Sequence, residues 1–267
     1  MSDFYVGYLT KAPAGLARFV RKVIIALGLV VVTVAVVLVC GQRQFANSTF
    51  EYGKVRTFEG VVVARPYPAL WVPRPGASQL EGKESQYLLV APGKHGADDL
   101  VIGFDGKQVS LQGQLIYRDG GTMVEIVPGS ITSGSTIALR TAPSTPDSIR
   151  ELGSITVTGE IVDSKCYLGV MNPGNGKVHR DCAARCLSGG IPPLFVTTNG
   201  ESQFLLVGLD GEAIGHDVLR EFVAEPITVR GELMQRGDTR LIRIDPESLR
   251  HSQSRGQIAS NISMPTQ

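Results

Sequence analysis

The sequence predicts a mainly β protein in which an N-terminal transmembrane helix precedes two tandem five-stranded barrels. Three observations predict this fold: one long apolar segment, many short alternating segments separated by turn residues, and two stretches that resemble each other. The chain has 267 residues, of which 43% are hydrophobic and 19% charged, so it is long enough for two domains with apolar cores. This composition excludes a disordered chain, a collagen and a coiled coil.

The apolar segment covers residues 23–40, eighteen residues without a charge. As a helix rising 1.5 Å per residue it would be ~27 Å long, which is enough to cross the hydrocarbon core of a bilayer. The segment is rich in Val and has no polar face, so a membrane helix at residues 23–41 is favoured over a buried core helix. It is also long for the apolar core of a signal peptide, which favours an uncleaved anchor.

Basic residues precede the apolar segment, and few charges follow it closely. Those that precede it, against the single acid Asp3, are Lys11, Arg18, Arg21 and Lys22. Because positive residues tend to stay on the cytoplasmic side, residues 1–22 are predicted to form a cytoplasmic stub. Residues 42–267 are then predicted to lie in the periplasm, with the anchor in a bacterial inner membrane.

Two stretches after the apolar segment resemble each other, which predicts one supersecondary design used twice. Three pairs of segments align: 57–63 with 156–162, 86–90 with 203–207, and 109–126 with 227–244. The second copy holds 18 more residues between its first and middle strands. The predicted domains are a barrel at 50–139, a linker at 140–150, a barrel at 151–250 and a disordered tail at 251–267.

Each copy is predicted to contain five strands and one short helix. In the second copy the strands are predicted at residues 155–162, 194–198, 203–207, 227–234 and 240–245. Asn199 and Gly200 indicate a hairpin turn, and Asp217 can cap a helix at 217–224 that Pro226 prevents from continuing. A helix between the third and fourth of five strands is the order of an OB-fold barrel, and a ten-stranded sandwich is the alternative.

OB-fold barrels often bind oligonucleotides, so the charge of the second copy matters. Residues 151–250 contain 10 Lys and Arg against 14 Asp and Glu, a net charge of −4. An acidic barrel outside the cytoplasm is a poor surface for phosphates. The sequence therefore predicts the membrane and a membrane protein as contacts of the chain, and no nucleic acid.

The extra residues of the second copy hold a cluster of metal-ligand residue types. Cys166, His179, Cys182 and Cys186 follow the spacing C-x12-H-x2-C-x3-C. A helix at 179–187 would place the last three on one face, because residues three and four apart share a helix face. Cys166, after the first strand, can complete the set. Three sulfurs and one imidazole suit tetrahedral zinc or a soft copper site, so these four residues are the predicted metal ligands.

A disulfide is the alternative interpretation of the same cysteines. The predicted compartment oxidises thiols, and a bond from Cys166 to Cys182 or to Cys186 would staple the insertion. Such a staple leaves one of the three cysteines unpaired, which favours the metal.

A third alternative is a thiol redox pair formed by Cys182 and Cys186. The C-x3-C pair with a nearby His and the thioether of Met171 loosely resembles the ligand sets of copper electron-transfer and copper-delivery proteins, which would imply copper.

The insertion also contains several charged residues, which are Asp163, Lys165, Arg180, Asp181 and Arg185. They are predicted to be ordinary surface charges, and the alternative is that they form hydrogen bonds with the ligands. His95 and His216 are interpreted as bystanders. Trp71 lies in a proline-rich segment where packing is favoured over partner docking. No catalytic or organic-cofactor motif is present, so the sequence does not indicate an enzyme.

The layout of the whole chain resembles single-pass bacterial envelope proteins with OB-like domains. That resemblance implies no particular activity, and the functional hypothesis rests instead on the ligand-rich insertion that only the second copy carries. The leading hypothesis is thus a membrane-anchored periplasmic protein with a Cys3His site for zinc or copper in its second barrel. The alternative is a non-catalytic accessory or assembly subunit of a membrane complex, with a disulfide-stapled loop.

Overall fold

The structure is a computed structural model that describes residues 12–42, 48–73, 84–133 and 149–251. The chain divides into two compact units, Met1–Ala46 and Asn47–Gln267. Half of the predicted cytoplasmic stub, most of the predicted linker and nearly all of the predicted tail lie outside the described residues.

The first unit contains one helix, α1 (Ala14–Gln42). It begins nine residues before the predicted segment, because helix-compatible residues 14–22 continue the same backbone hydrogen bonding. Among the described residues α1 is the one helix long and apolar enough to cross a membrane, and none of its apolar window is buried. A membrane span and a signal sequence share these properties.

The first barrel is a closed sheet of five main strands with short additions. Its elements are β1 (Thr49–Val63), β2 (Ala69–Pro73), β3 (Glu84–Ala91), β4 (His95–Gly96), α2 (Asp98–Val101), β5 (Gln108–Arg118), β6 (Gly121–Ile126) and β7 (Thr132–Ser133). The main strands pair in the order β1-β2-β3-β6-β5, and β5 returns to β1 to close the barrel. The pairing of β3 with β6 is parallel and the others are antiparallel.

The second barrel has the same strand order. Its strands are β8 (Arg150–Asp163), β9 (Pro193–Thr197), β10 (Gln203–Val207), β11 (Ile227–Arg236), β12 (Thr239–Arg243) and β13 (Arg250–His251). The sheet runs β8-β9-β10-β12-β11, with β11 back against β8 and only the β10–β12 pairing parallel. The predicted fold class, two closed five-stranded barrels after an apolar helix, is confirmed, and the sandwich is not formed.

The predicted elements of the second barrel differ from the observed ones mainly at their ends. The strand predicted at 203–207 has the observed bounds, whereas β8 begins five residues before its predicted start because its first half pairs with β11. The predicted helix at 217–224 is a short α4 (His216–Leu219) followed by a 3-10 turn (Arg220–Phe222). Val223 is extended, with a ψ of 127°, and Ala224 has a positive φ of 56°, so the helical stretch ends at Phe222, before Pro226.

Each barrel encloses its own apolar core, and within the described residues a third cluster joins the two barrels. The joining cluster includes Leu88 and Ile116 of the first barrel and Leu194 and Leu205 of the second. The connection between β8 and β9 belongs to the same cluster. The two barrels therefore bury one continuous apolar seam.

The connection between β8 and β9 contains three short helical elements: a π-helix (Cys166–Val170), a 3-10 turn (Lys177–His179) and α3 (Arg180–Ser188). Its π-helix packs on β1, β5 and β6 of the first barrel, where the Arg118 guanidinium lies 4.0 Å from the centre of the Tyr167 ring. Gly169 passes so close to the first barrel that a Cβ there would lie 2.4 Å from the Thr49 carbonyl oxygen. The insertion of the second barrel is thus built against the first.

Candidate metal centre

The predicted ligands are carried by the three helical elements of the insertion. Cys166 is the first residue of the π-helix, and His179 is the last residue of the 3-10 turn. Cys182 and Cys186 lie one turn apart on α3, which confirms the helix predicted over these residues. Cys166, His179 and Cys186 are buried, while Cys182 is partly exposed.

The three sulfurs lie at non-bonded distances around Cys166. Its Sγ atom is 4.0 Å from the Sγ of Cys182 and 4.0 Å from the Sγ of Cys186, and all three cysteines are free thiols. A disulfide would need sulfurs about 2 Å apart. Thiolates bound at about 2.3 Å in a tetrahedral site lie about 3.8 Å from one another, close to the observed separation.

Two groups of potential ligand atoms share Cys166. Cys166, His179 and Cys182 have ligand atoms within 4.8 Å of one another, and so do Asp163, Cys166 and Cys186. The structure therefore brings three of the four predicted residues, Cys166, His179 and Cys182, into one Cys/His cluster that can bind a metal ion, whereas Cys186 is grouped with Cys166 and Asp163. It also adds Asp163, which sequence reasoning had placed among the surrounding charges.

Asp163 is the last residue of β8, fully buried, and its two oxygens serve different partners. Oδ1 accepts a hydrogen bond from the backbone N–H of Cys166 at 2.8 Å. Oδ2 lies 2.9 Å from Nε2 of His179. An ionised carboxylate can only accept, so Nε2 is the donor in this contact, and Nδ1 is the nitrogen that holds the lone pair when the imidazole is neutral.

A lysine of the first barrel reaches the sulfurs of the second. Nζ of Lys94 donates to Sγ of Cys182 at 2.7 Å and to Sγ of Cys186 at 3.5 Å. Its backbone lies just before β4, where the N–H of Gly96 donates to the carbonyl oxygen of Gly189 at 2.7 Å. The turn between β3 and β4 therefore covers the C-terminal end of α3.

Hydrogen bonds among Cys166, Cys186, Cys182 and Lys94 shift the pKa values of groups in the cluster. The hydrogen bond with Cys186 raises the pKa of the Cys166 thiol, and burial and the charge of Asp163 raise it further. The same hydrogen bond lowers the pKa of Cys186, and the Lys94 ammonium lowers it as well. The bond to Cys182 raises the pKa of Lys94. The cluster thus favours a thiolate at Cys186 beside a fixed positive charge.

The prediction that Asp163 and Lys165 are surface charges is wrong. Lys165 is only 3% exposed, and its Nζ pairs with Glu125 of β6 at 2.5 Å. It also donates to the carbonyl oxygens of Ala91 and Gly93 at 2.8 and 2.6 Å. A buried charge requires such partners, and they come from the first barrel, which the local sequence pattern does not reveal.

The other charges of the insertion lie at its surface. Arg180, Asp181 and Arg185 are exposed, and Arg180 pairs with Glu225 at 2.8 Å. His95 is exposed on β4, and His216 begins α4 with Nε2 3.1 Å from the Asp217 carboxylate. The side chain of Met171 is exposed.

Trp71 lies buried on β2 rather than in a loop. The Arg236 guanidinium of the second barrel is 5.6 Å from the centre of its ring.

The residues of the first barrel that contact the site were not predicted. Lys94 and Glu125 lie more than 30 residues before the cluster in sequence, and neither belongs to a metal-ligand motif. A lysine close to a glycine in a tight turn is common in any β protein. Only the way the barrels pack gives Lys94 its contact with sulfur.

Comparison with known proteins gives one structural match. No protein-family model matches this chain, and no curated protein matches it. A solved structure of a deletion mutant of the single-stranded DNA-binding protein from Thermus aquaticus matches with 11% sequence identity and a TM-score of 0.21. The match covers 78% of this chain and 90% of that chain.

Beside a match of this kind, the prediction that nucleic acid is not a partner is withdrawn as wrong. The exclusion rested on the net charge of residues 151–250, which averages over the whole surface and does not describe any local patch. At a TM-score of 0.21 the match itself carries no argument about a ligand of this chain.

Proposed function

We propose that this chain is a membrane-anchored bacterial envelope protein whose second barrel binds one metal ion through Cys166, His179, Cys182 and Cys186. The observation that carries the proposal is the central position of Cys166, whose sulfur is 4.0 Å from each of the other two. His179 completes the donor set from the neighbouring 3-10 turn. Three thiolates and one imidazole are a donor set that binds zinc in closed structural sites.

Zinc fits the charges around the cluster better than copper does. Three thiolates and Zn²⁺ leave one negative charge, and the Lys94 ammonium next to two of the sulfurs offsets part of the negative charge that this set and the Asp163 carboxylate carry together. Cu⁺ in the same set would leave two negative charges in a largely buried place, which is costlier. With four protein ligands no position remains for a substrate, so the ion has a structural role.

The anchor and compartment are part of the proposal. Helix α1 supplies the span, and Arg18, Arg21 and Lys22 lie near its N-terminal end. The positive-inside rule supports a cytoplasmic N-terminus and periplasmic barrels. In that compartment free thiols are exposed to oxidation, and a bound ion would protect them.

Elemental analysis of the purified full chain tests the proposal. We expect about one zinc ion per chain, and a loss of most of it in Cys166→Ser and in Cys182→Ser, because each removes one of four ligands. Cys40→Ser is the matched control: it removes an exposed cysteine of α1 and leaves the donor set intact. Finding copper instead of zinc would support the same four ligands but would show that the preference for zinc, argued from charge, is wrong.

Two outcomes would contradict the proposal. The first is a metal-free protein in which thiol titration finds a disulfide among the three cysteines of the insertion. The second is equal metal content in Cys40→Ser, Cys166→Ser and Cys182→Ser, which would place the ion elsewhere in the chain.

A further inference from the structure

The three cysteines of the proposed metal site differ in how far solvent reaches them. Cys166 and Cys186 are 4% and 1% exposed, whereas Cys182 on α3 is partly exposed. The surface contact of Cys182 is the exposed side chain of Lys94, whose Nζ lies 2.7 Å from its Sγ. A dissolved oxidant therefore meets Cys182 before it meets the two buried sulfurs.

A second sulfur is placed to react with an oxidised Cys182. Sγ of Cys166 lies 4.0 Å from Sγ of Cys182, and the two residues belong to different elements, the π-helix and α3. Rotation of the two side chains can bring these sulfurs to the distance of about 2 Å that a disulfide needs. Cys186 is a poorer partner for Cys182, because residues one turn apart on a regular helix have Cβ atoms too far apart for a disulfide.

The two sulfurs that can react in this way are also two of the four proposed ligands. An accessible cysteine beside a second thiol is the arrangement found in thiol redox sensors. A thiolate bound to a metal keeps lone pairs that can attack a peroxide, so a bound ion slows the reaction without preventing it. Joining Cys166 to Cys182 would leave only His179 and Cys186 for the ion, two ligands short of a closed structural zinc site.

We propose that hydrogen peroxide switches this site from the metal-bound to the metal-free state by joining Cys166 and Cys182. The switch rests on the proposed function, since it acts on the same four ligands. It differs from a permanent staple because the bond forms only on oxidation, and a dithiol reductant reverses it.

The oxidation takes place in two steps. The Cys182 thiolate attacks one peroxide oxygen, the O–O bond breaks, and the departing hydroxide takes a proton from solvent, which leaves a sulfenic acid on Cys182. The Cys166 thiolate then attacks the Cys182 sulfur, and the hydroxyl group leaves as water with a second proton. Two thiolates, one peroxide and two protons thus give one disulfide and two waters, while the zinc ion departs and Cys186 takes up a proton.

Peroxide treatment of the full chain in detergent micelles tests the switch. Cys40→Ser serves as the parent chain, so that only the three cysteines of the insertion can react. The chain is reduced, loaded with zinc and analysed for metal, and one equivalent of peroxide is then added with a chromophoric chelator. We expect release of most of the zinc, a disulfide between Cys166 and Cys182 in peptide mapping, and recovery of both thiols and zinc binding with dithiothreitol.

Variants of this parent chain separate the attacking sulfur from the resolving one. Compared as metal-free chains, Cys182→Ser should lose its thiols about tenfold more slowly than the parent, because the cysteines that remain are buried. Cys166→Ser should leave the oxidised Cys182 unresolved, so that sulfinic acid accumulates there. Cys186→Ser is the matched control: it removes a buried cysteine and should still form the bond between Cys166 and Cys182 at the parent rate.

The zinc content before oxidation distinguishes a failure of the metal site from a failure of the switch. A reduced chain that takes up no zinc contradicts the proposed function, and the switch with it. A chain that binds zinc and keeps it after peroxide treatment leaves the proposed function standing and overturns the switch. A disulfide between any other pair, or equal rates of thiol loss in Cys182→Ser and the parent chain, would also overturn it.

Discussion

The Asp163 carboxylate contacts both the backbone of Cys166 and the imidazole of His179. One of its oxygens accepts from the N–H of Cys166 and the other faces Nε2 of His179. The same carboxylate therefore shapes the start of the π-helix and decides which imidazole nitrogen has a lone pair. Partners of this kind orient metal ligands, so in the proposed metal site Asp163 positions His179.

Asp163→Asn tests this role. The amide would still accept from Cys166, but its NH2 group would face Nε2 and favour the tautomer with the proton on Nδ1, which removes the lone pair offered to the metal. We expect metal affinity to fall about 10- to 100-fold, measured by competition with a chromophoric chelator. Asp181→Asn, exposed on α3, is the control. Equal affinities in the two variants, with normal circular dichroism, would show that Asp163 does not orient the histidine.

The proposed ligand residues could be selected from the sequence, whereas the residues that contact them could not. Cysteine and histidine at one-turn spacing share a helix face wherever the helix lies, so Cys182 and Cys186 could be placed from local rules. Lys94 could not, because its contact depends on the packing of two barrels. Asp163 was misjudged since an acid at a strand end is usually solvated, and only its burial distinguishes it.

At the level of elements, the end of α3 and the turn before β4 approach each other too closely for a side chain. A Cβ on Gly189 would lie 1.8 Å from the carbonyl oxygen of Lys94, and backbone atoms cannot move aside as a flexible side chain can. The φ of Gly189 is −85°, which any residue adopts, so space alone requires glycine here. This contact fixes the position of the Lys94 backbone relative to α3, which carries Cys182 and Cys186.

Gly189→Ala should therefore lower the free energy of unfolding by about 1–3 kcal/mol, as overpacking of a fixed contact does. Gly215→Ala is the matched control, because its φ is −59° and a Cβ there meets no atom within 4 Å. Its effect should stay within about 0.5 kcal/mol. Urea unfolding followed by circular dichroism measures both. If the Gly189→Ala protein is as stable as the Gly215→Ala protein, the turn before β4 can move away from α3 and make room for the methyl group.

Strand positions were predicted well, and the helical connections only in part. Alternating apolar residues mark a half-buried strand regardless of its neighbours, which is why β10 has its predicted bounds. The π-helix at Cys166–Val170 has no such signal. Its conformation follows from packing against β1 and β5 of the other barrel, a contact distant in sequence.

For the whole molecule, the seam between the barrels combines an apolar cluster with one buried ion pair. Lys165 of the insertion and Glu125 of β6 are 3% and 8% exposed. Their charges compensate each other across the seam. Removing one partner leaves the other charge buried, which costs far more than the pair contributes.

Glu125→Gln should thus reduce the free energy of unfolding by about 3 kcal/mol, and Glu125→Leu combined with Lys165→Met should restore most of it. The control is Glu225→Gln, which removes the surface pairing with Arg180 and should cost less than about 1 kcal/mol. Urea titration of the full chain in detergent gives all three values. A small, equal loss in Glu125→Gln and Glu225→Gln would show that water reaches Lys165.

The contact of Lys94 with two sulfurs also makes the second barrel depend on the first. The barrels follow one another as separate stretches of sequence, yet a lysine of the first contacts two sulfurs of the second. A second barrel transplanted into another protein would carry all four proposed ligands and still lack that cation. The two barrels must therefore be moved together if the surroundings of the sulfurs are to be kept.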